Sequence, residues 1–393
     1  MTSLSSFVEL PITEQKTRGL LFTPREIAQQ PHTWTRTLEI FQQHQARICG
    51  FLEQAGLRNE LEQRPVVMLV GAGTSDYIGH ALELLLRQKW GCEVSACAST
   101  DLLPNIEDYI VARRKYLWIS FSRSGDSPEA VAVVEQAIKL YPHIAHMVVT
   151  CNAQARMIAV CEQAEHACVV VLDDAVNDRS LAMTSSFTNM IVMGHCLAHA
   201  WSIEEYAEIA ERLVRVGQDF LQCAEKEAHR ASSLGFSRVC MVGAGSLASV
   251  ASESALKVLE MTAGQVKTMS QTVLGLRHGP MAALDSETLF VCFVSGDGRR
   301  ARYAADLLRE IGQKGIAAER IAVGLSATRA EIEPHCESYL SIDVDVADSY
   351  RPILDVIFGQ LLGLYCSVAR DLKPDSPSPG GVISRVVQKF RIY

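Results

Sequence analysis

The sequence has little that points to a metal, a membrane or a nucleic acid. It has 12 cysteines but no Cys-x-x-Cys pair and no cysteine–histidine cluster at zinc spacing, so we expect no metal site. No apolar run reaches about 18 residues, the length that a membrane-spanning helix needs. Acidic side chains outnumber basic ones, 45 to 37. The net charge of −8 argues against a nucleic-acid partner, because phosphate neutralisation requires a basic surface.

An export signal is also lacking. The N-terminal stretch MTSLSSFVELPITEQK has no basic segment ahead of an apolar one, so no signal peptide is predicted. Cysteines such as Cys240, Cys292 and Cys366 lie in apolar runs, which is typical of buried, reduced thiols. We therefore expect a cytoplasmic protein.

What the sequence does contain is a duplication. Its 393 residues, 48% hydrophobic and 21% charged, suffice for two globular domains. The stretch VVMLVGAGTSDYIGHALELLL has a sister, RVCMVGAGSLASVASESALKVLEM, and Gly243 lies 172 residues after Gly71. The apolar segments LWISF and LFVCF recur at the same offset. A constant offset over two separate segments indicates a tandem repeat, here called repeat one and repeat two.

Both repeats alternate short apolar runs with helical segments, which predicts an α/β fold with a parallel sheet covered on both faces. We expect repeat one to form a domain at 63–200 and repeat two a domain at 236–372. The predicted strands are Val66–Val70, Leu117–Phe121, Met147–Thr150 and Cys168–Leu172 in repeat one, and Val239–Val242, Leu289–Phe293, Arg320–Gly324 and Tyr339–Ile342 in repeat two.

The remaining segments are predicted to be mostly helical. In the N-terminal segment, residues 1–62, we expect irregular structure up to residue 22 and then helices, because Thr23 and Glu26 have capping-box spacing. Residues 201–235 are predicted to be linking helices. The tail, 373–393, opens on prolines and glycines and should end in a short segment that docks on the body.

A glycine turn, Gly71-Ala72-Gly73-Thr74-Ser75, follows the first strand and opens a helix. It is not a dinucleotide fingerprint, because Asp76 stands where a third glycine is expected, nor a P-loop, because no Gly-Lys-Ser/Thr follows. A glycine turn with hydroxyls at a helix N-terminus suits a phosphate group.

Two further hydroxyl clusters follow other strands of repeat one. Ser122-Arg123-Ser124-Gly125-Asp126-Ser127 follows the second predicted strand, and Thr184-Ser185-Ser186 follows the fourth. Ligands of parallel sheets bind outside the carboxyl ends of the strands, so these turns should converge. Each cluster alone is more typical of a helix cap, but the presence of all three in one domain favours an anion site.

Repeat two instead carries ionisable groups. Glu253, Lys257 and Glu260 fall at i, i+4 and i+7 and share one helix face, either as a solvated ion-pair ladder or as a proton-transfer group. His278 lies in the Gly-Pro-punctuated segment 275–280, where it is either simply exposed or an acid–base group. Acid–base groups together with a phosphate site suggest isomerisation of a sugar phosphate. The lysine could stabilise an anionic intermediate or form an imine.

Taken together, these motifs resemble those of proteins with two tandem sugar isomerase (SIS) domains. GAGTS, SRSGDS and the ESALKVLE…RHGP block are similar to the isomerase half of glucosamine-6-phosphate synthase. The resemblance is closer to the galactosamine-6-phosphate deaminase/isomerases, also called tagatose-6-phosphate ketose/aldose isomerases, and it covers nearly the whole chain. It implies two flavodoxin-like, three-layer α/β/α domains. The further shared segments are AMTSS at 182–186 and a tail motif at 382–388.

The resemblance also implies roles for individual residues. Glu260 would move a proton between carbons 1 and 2, Lys257 would hold the open-chain sugar, and His278 would assist ring opening from the neighbouring subunit of a homodimer. No metal or cofactor is implied. The phosphate ligands would be Ser75, Ser122, Arg123, Ser124 and Ser127. Further candidates for substrate contacts are Gly73, Thr74, Thr184, Ser185, Glu253 and Arg385.

The sequence departs from the synthase pattern in three places. Ser185 stands where the synthase has a lysine, the tail lysine of the synthase has only Arg385 or Lys389 as candidate substitutes, and the spacing from Glu260 to His278 is slightly longer. About 60 residues precede the first SIS domain, and no N-terminal cysteine is present for a glutaminase. Release of ammonia from an amino sugar phosphate is therefore the expected direction.

The expected reaction is conversion of galactosamine 6-phosphate to tagatose 6-phosphate and ammonia. Isomerisation of a neutral sugar phosphate and a fructosamine-type deglycase reaction remain alternatives. A sugar-phosphate sensor without catalytic activity is a further alternative, which would need the phosphate site but none of the acid–base residues.

Overall fold

The structure is a computed structural model, and it describes residues 3–383, 385–387 and 390–393. Alternating strands and helices account for most of these residues. The helices and strands up to the end of the first sheet are α1 (Leu4–Glu9), α2 (Ile12–Arg18), α3 (Thr23–Ala28), α4 (Gln30–Gln54), β1 (Val66–Gly71), α5 (Thr74–Trp90), β2 (Val94–Ala98), α6 (Ser99–Leu102), α7 (Ile106–Tyr109), β3 (Tyr116–Ser122), α8 (Pro128–Leu140), β4 (Ala145–Thr150), α9 (Arg156–Cys161) and β5 (Ala167–Val171).

The second half of the chain repeats this alternation after two long helices. Its elements are α10 (Ser185–Ala198), α11 (Ile203–Ser232), β6 (Arg238–Gly243), α12 (Ser246–Met261), β7 (Lys267–Thr272), β8 (Thr288–Phe293), α13 (Gly298–Lys314), β9 (Glu319–Leu325), α14 (Arg329–Ile332), β10 (Ser338–Ile342) and α15 (Pro352–Val368). Among the described residues, no helix combines the length and the apolar character needed to cross a bilayer.

The chain divides into two compact units, each with one repeat. The repeat-one unit comprises residues 32–178, 185–210 and the described residues from 385 onward. The repeat-two unit comprises residues 3–31, 179–184 and 211–383. The N-terminal helices α1 to α3 therefore belong to the unit of repeat two.

Each unit contains one five-stranded sheet, and both sheets have the same strand order. The order is β2-β1-β3-β4-β5 in the repeat-one unit and β7-β6-β8-β9-β10 in the repeat-two unit, and all pairs are parallel. Every residue of β1, β3, β4 and β8 is buried, which explains their continuous apolar sequences. The predicted tandem α/β fold is confirmed.

One strand in each sheet was not predicted from the sequence. β7, with the sequence KTMSQT, pairs only with β6 and is half-exposed along most of its length. An edge strand of this kind carries polar side chains and shows no apolar run. β2 is likewise an edge strand and is built from small residues, VSACA. The four strands predicted for each repeat correspond to the other members of the sheets.

Irregular structure before residue 22 was a wrong prediction. Ser3 and Ser6 form a reciprocal capping box that opens α1, and Phe7 packs its ring 5.9 Å from that of Tyr365. The capping box predicted at Thr23 is also wrong, because Phe22 holds the N-cap position. The Thr23 hydroxyl instead donates to the carboxylate of Asp375, at 2.7 Å.

Helices α12 and α15 pack closely in the repeat-two unit. A Cβ atom at Gly359 would lie 2.1 Å from the Ser254 hydroxyl, so only glycine permits this approach. Helix α15 is buried along its length up to Ser367. It therefore covers one side of α12, the helix that carries the predicted acid–base residues.

Candidate active site

The first predicted phosphate turn connects β1 to α5 in the repeat-one unit. Gly71 is required there, because a Cβ atom would lie 2.3 Å from the Ser75 carbonyl oxygen. Gly73 holds the N-cap position with φ +56°, and no side chain caps the helix. Thr74 and Ser75 form the first helical turn and are 5% and 6% exposed. The positive end of the α5 dipole is thus presented at the carboxyl end of β1.

The second predicted turn follows β3 and is held by hydrogen bonds within the repeat-one unit. The Ser122 hydroxyl accepts from the Gly125 amide at 3.0 Å, and the Ser124 hydroxyl accepts from the Asp126 amide at 3.3 Å. The Asn152 side chain donates to the Ser124 carbonyl at 2.9 Å. Asn152 lies just beyond β4 in the loop that supports this turn, and no sequence motif predicted its role.

Hydroxyl protons of this turn are available to a ligand. Ser124 and Ser127 are half-exposed. Within the part of the chain that the structure describes, neither hydroxyl donates to an acceptor, and Ser127 makes no side-chain cap to α8. β1 and β3 are adjacent and parallel, so the two turns lie at the same edge of one sheet. This arrangement suits an anion with several oxygen acceptors.

Arg123 and Arg385 are linked in the repeat-one unit. The buried Arg123 guanidinium donates to the Arg385 carbonyl at 2.9 Å. Arg385 itself donates to the carbonyl of Asp178 at 2.7 Å and to the side-chain oxygen of Asn177 at 2.6 Å. The tail thus reaches the predicted phosphate turn through backbone and side-chain hydrogen bonds. Within the tail, Ser384, Gln388 and Lys389 lie outside the described residues.

The third hydroxyl cluster is organised by Asp178, a residue that sequence reasoning missed. The Asp178 carboxylate accepts from the hydroxyls of Ser185 and Ser186, each at 2.5 Å, and from the Ser186 amide at 2.8 Å. Ser185 opens α10, is fully buried and donates its hydroxyl to Asp178, and the Asp178 carboxylate caps the helix by accepting from the Ser186 amide. Thr184 belongs to the repeat-two unit, where its carbonyl accepts from Gln360 at 3.3 Å.

The predicted acid–base residues come together on α12 in the repeat-two unit. The Lys257 ammonium lies 3.3 Å from Glu253 Oε1 and 2.6 Å from Glu260 Oε2. Glu253 and Lys257 are 0% exposed, whereas the Glu260 side chain is 29% exposed. A solvated ion-pair ladder is therefore excluded for the first two residues. In this cluster the Glu260 carboxylate faces solvent, and the buried Lys257 ammonium forms an ion pair with it on the inner side.

The protonation state of Lys257 follows from this geometry. Burial alone would lower the pKa of Lys257, but the charges and hydrogen bonds of Glu253 and Glu260 outweigh it and raise that pKa. Lys257 is therefore an ammonium ion at neutral pH. An ammonium stabilises negative charge but is not a nucleophile.

His278 lies outside this cluster. It is exposed in the segment after β7, next to the buried Leu276. Arg277 anchors the segment through an ion pair with Glu310 at 2.8 Å. Among the described residues, no hydrogen bond or ion pair joins the His278 ring to Glu260. The described part of the chain also contains no group of three or more His, Cys, Asp or Glu side chains placed to hold a metal ion.

Comparison with known proteins identifies relatives along the whole chain. No protein-family model matches the chain. D-galactosamine-6-phosphate deaminase AgaS of Escherichia coli O157:H7 is 34% identical over 380 residues, covering 95% of each protein. The solved structure of tagatose-6-phosphate ketose/aldose isomerase from Escherichia coli superposes with a TM-score of 0.81 at 31% identity, covering 91% of this chain and 95% of that one.

A solved structure from Clostridium novyi NT agrees over the full length. It superposes with a TM-score of 0.92 at 28% identity and covers 100% of this chain and 99% of its own. The fold of two repeats with SIS-type sheets is thus shared with these proteins. The identity of 34% over 95% of the chain places the protein in their family. The chain belongs to the AgaS family of D-galactosamine-6-phosphate deaminases.

Proposed function

We propose that the protein is a deaminating aldose–ketose isomerase that converts galactosamine 6-phosphate and water to tagatose 6-phosphate and ammonia. The observation that carries this proposal is the Glu253–Lys257–Glu260 cluster, whose buried ammonium supports a partly exposed carboxylate. A binding protein would need no such cluster. The names of the relatives supply the substrate class, since they are a galactosamine-6-phosphate deaminase and a tagatose-6-phosphate isomerase.

The phosphate group is assigned to the two turns of repeat one. Ser124 and Ser127 have hydroxyl protons to donate, and the α5 N-terminus supplies a partial positive charge. Ser75 and Ser122 complete the set at the ends of the neighbouring strands. Arg123 adds a positive charge that its contact with the Arg385 carbonyl orients.

Proton transfer is assigned to Glu260. In the open-chain sugar, Glu260 removes the proton from carbon 2 while the carbonyl oxygen on carbon 1 takes up a proton. Glu260 then returns its proton to carbon 1 as the amine on carbon 2 gives up an N–H proton, so the aldehyde becomes an alcohol and the amine becomes an imine. Water then adds to the imine and ammonia leaves, a hydrolytic step. Lys257 keeps the Glu260 carboxylate in place and offsets the negative charge that develops on the sugar.

His278 is assigned to ring opening, supplied from the neighbouring subunit of a homodimer. Its exposure supports this assignment, as does the absence of a hydrogen bond or ion pair to its ring from the described part of its own chain. All 12 cysteines are unpaired, which supports a cytoplasmic location.

Ammonia release tests the proposal. Purified protein without added metal is given galactosamine 6-phosphate or glucosamine 6-phosphate, and ammonia is measured by a coupled assay. We expect release from the galacto sugar and little from its epimer. Glu260→Gln is the matched control, because it keeps the shape of the side chain and removes its basicity. Equal release by this variant, or tight binding of both sugars without turnover by the unmodified protein, would contradict the proposal.

A further inference from the structure

The turn after β8 is the repeat-two counterpart of the phosphate turn in repeat one. The sequence Val294-Ser295-Gly296-Asp297-Gly298 stands where repeat one has Ser122 to Asp126, at the same 172-residue offset as the strands. Both turns connect the central strand of a five-stranded sheet to a long helix. In repeat one the hydroxyls of Ser124 and Ser127 donate to no acceptor among the described residues. In repeat two the donors of the turn are hydrogen-bonded to a carboxylate of the same unit.

The carboxylate of Asp348 occupies the repeat-two turn. The Gly296 amide donates to Asp348 Oδ1 at 2.8 Å, and the Ser295 hydroxyl donates to Asp348 Oδ2. The Arg351 guanidinium donates to Oδ1 at 3.0 Å. A second guanidinium, that of Arg300 in the first turn of α13, lies 3.6 Å from Oδ2. All of these residues belong to the repeat-two unit.

This set of donors is that of an anion site. A hydroxyl, a backbone N–H and two guanidinium groups around two oxygens are the groups that proteins use to hold a phosphate or a carboxylate. Arg351 is fully buried and also donates to Asp355, at 2.6 Å, and to the Val294 carbonyl, at 2.8 Å. Its position therefore does not depend on Asp348 alone.

The neighbouring strand ends in a turn that matches repeat one as well. Gly245 holds the N-cap position of α12 with φ +59°, as Gly73 does for α5 with φ +56°. The Ser246 hydroxyl that follows is 2% exposed and has no hydrogen-bond partner in the described part of the chain. The backbone of both turns is thus similar in the two repeats, and repeat two also has the buried Ser246 hydroxyl without a hydrogen-bond partner among the described residues.

We propose that repeat two contains a second anion site for a phosphate group, and that Asp348 fills it as an internal ligand. The proposal rests on the proposed function in one respect, namely that the equivalent turn of repeat one holds phosphate. On this proposal, a chain with two similar sheets offers one phosphate turn to a sugar phosphate rather than two. Repeat two is left to supply the acid–base cluster.

A cavity beside Asp348 provides the space that a ligand would need. Its volume is about 530 Å³, and its lining includes Gly296, Asp297, Arg300, Asp345 and Asp348. With Asp348 in place, carboxylates predominate among the charged lining groups and repel an anion. Without Asp348, the turn would face Arg300 and Arg351. The remaining carboxylates of the lining, Asp297, Asp343 and Asp345, are all exposed, so solvent screens them.

Binding of inorganic phosphate tests the proposal, with the stoichiometry measured by equilibrium dialysis of radiolabelled phosphate. The unmodified protein should bind one phosphate per chain, and Asp348→Ala should bind two. In a Ser124→Ala/Ser127→Ala background the first site is lost, so the unmodified repeat two should bind none and addition of Asp348→Ala should restore one. Asp345→Ala is the matched control, because it removes a carboxylate from the same cavity without opening the turn.

The two proposals fail separately in this design. No phosphate on the unmodified protein would contradict the repeat-one assignment, and Asp348→Ala would still report on repeat two. A folded Asp348→Ala that gains no phosphate, or an equal gain in Asp345→Ala, would overturn the second site. Should Asp348→Ala be unstable, Asp348→Ser keeps a hydroxyl for Arg351, and phosphate should raise its melting temperature more than that of the unmodified protein. Failure of both variants to fold in phosphate buffer would also count against the site.

Discussion

The Lys257 ammonium lies 2.6 Å from Glu260 Oε2, and the contact joins a side chain with no exposure to one that is 29% exposed. Only Glu260 of the three charged residues on α12 can therefore meet a ligand from solvent. Lys257 is held by Glu253 on its other side, at 3.3 Å. Under the proposed function, this arrangement separates two tasks on one helix: Glu260 would exchange protons, and Lys257 with Glu253 would fix its position and charge.

Replacing Glu260 by glutamine should abolish proton transfer and leave binding intact. General acid–base catalysis by a positioned side chain contributes about 10²- to 10⁴-fold, so kcat for ammonia release should fall within that range. KM should change little, because the amide has the same shape. A steady-state titration with galactosamine 6-phosphate separates the two constants. Loss of affinity with unchanged kcat would instead assign Glu260 to substrate binding.

Replacing Lys257 by methionine should destabilise the repeat-two unit strongly. Two carboxylates would be left without their buried counter-ion, and removal of one partner of a buried pair typically lowers the free energy of unfolding by about 3–5 kcal/mol. Arg329→Met is the control, since Arg329 and Glu333 form an i,i+4 pair with both side chains about half exposed. That control should show no measurable change in urea unfolding. Similar midpoints for both variants would contradict the buried charge cluster.

Lys257 should not form an imine with the sugar. Because the flanking carboxylates raise the pKa of Lys257, the nucleophilic amine is scarce at neutral pH. Borohydride added during turnover should therefore leave the intact mass of the protein unchanged. A stable adduct on the peptide that contains Lys257 would show that the amine does attack the sugar.

Ser127→Ala should weaken substrate binding more than catalysis. The Ser127 hydroxyl has no acceptor among the described residues, so its loss leaves the fold unstrained and removes one donor to phosphate. A hydrogen bond to a charged group contributes about 1.5–3 kcal/mol, which predicts a rise in KM of roughly 10- to 100-fold. Ser5→Ala, at an exposed serine of α1, is the control and should leave KM unchanged. An unchanged KM in Ser127→Ala would remove this residue from the phosphate site.

The sequence predicted those parts of the fold and site that are local. The strands around Val67 and Leu289 are continuous apolar runs, and the Glu253–Lys257–Glu260 face follows from helical spacing. The polar edge strand β7 was not predicted, because it is recognised as a strand by its pairing with β6 and not by an apolar run of its own. The hydrogen bond between Ser295 and Asp348 joins residues 53 positions apart, so no local sequence pattern predicts it. No local pattern predicts the role of Asp178 either, whose carboxylate accepts hydrogen bonds from the hydroxyls of Ser185 and Ser186.

Acid should destabilise the repeat-one unit through His146. This side chain lies on β4, is 1% exposed and packs edge-on against Trp118, with neither ring nitrogen hydrogen-bonded in the described part of the chain. Burial lowers the pKa of His146 to about 4. Between pH 6.5 and pH 4 the unfolded chain therefore binds a proton that the folded chain does not. The contribution of His146 to the free energy of unfolding is fully present above the pKa of the histidine in the unfolded chain. It is lost as the pH falls, and at pH 4 the loss is about 3 kcal/mol.

The test is urea unfolding as a function of pH for the unmodified protein and for His146→Leu. Other groups, such as Asp355, contribute equally to both proteins, so the difference between the two curves isolates His146. The unmodified protein should lose about 3 kcal/mol more than His146→Leu between pH 7.5 and pH 4. His143→Leu is the control, because His143 is exposed two residues before β4 and should follow the unmodified protein. Parallel curves for the unmodified protein and His146→Leu would show that the folded state takes up the proton as readily as the unfolded one.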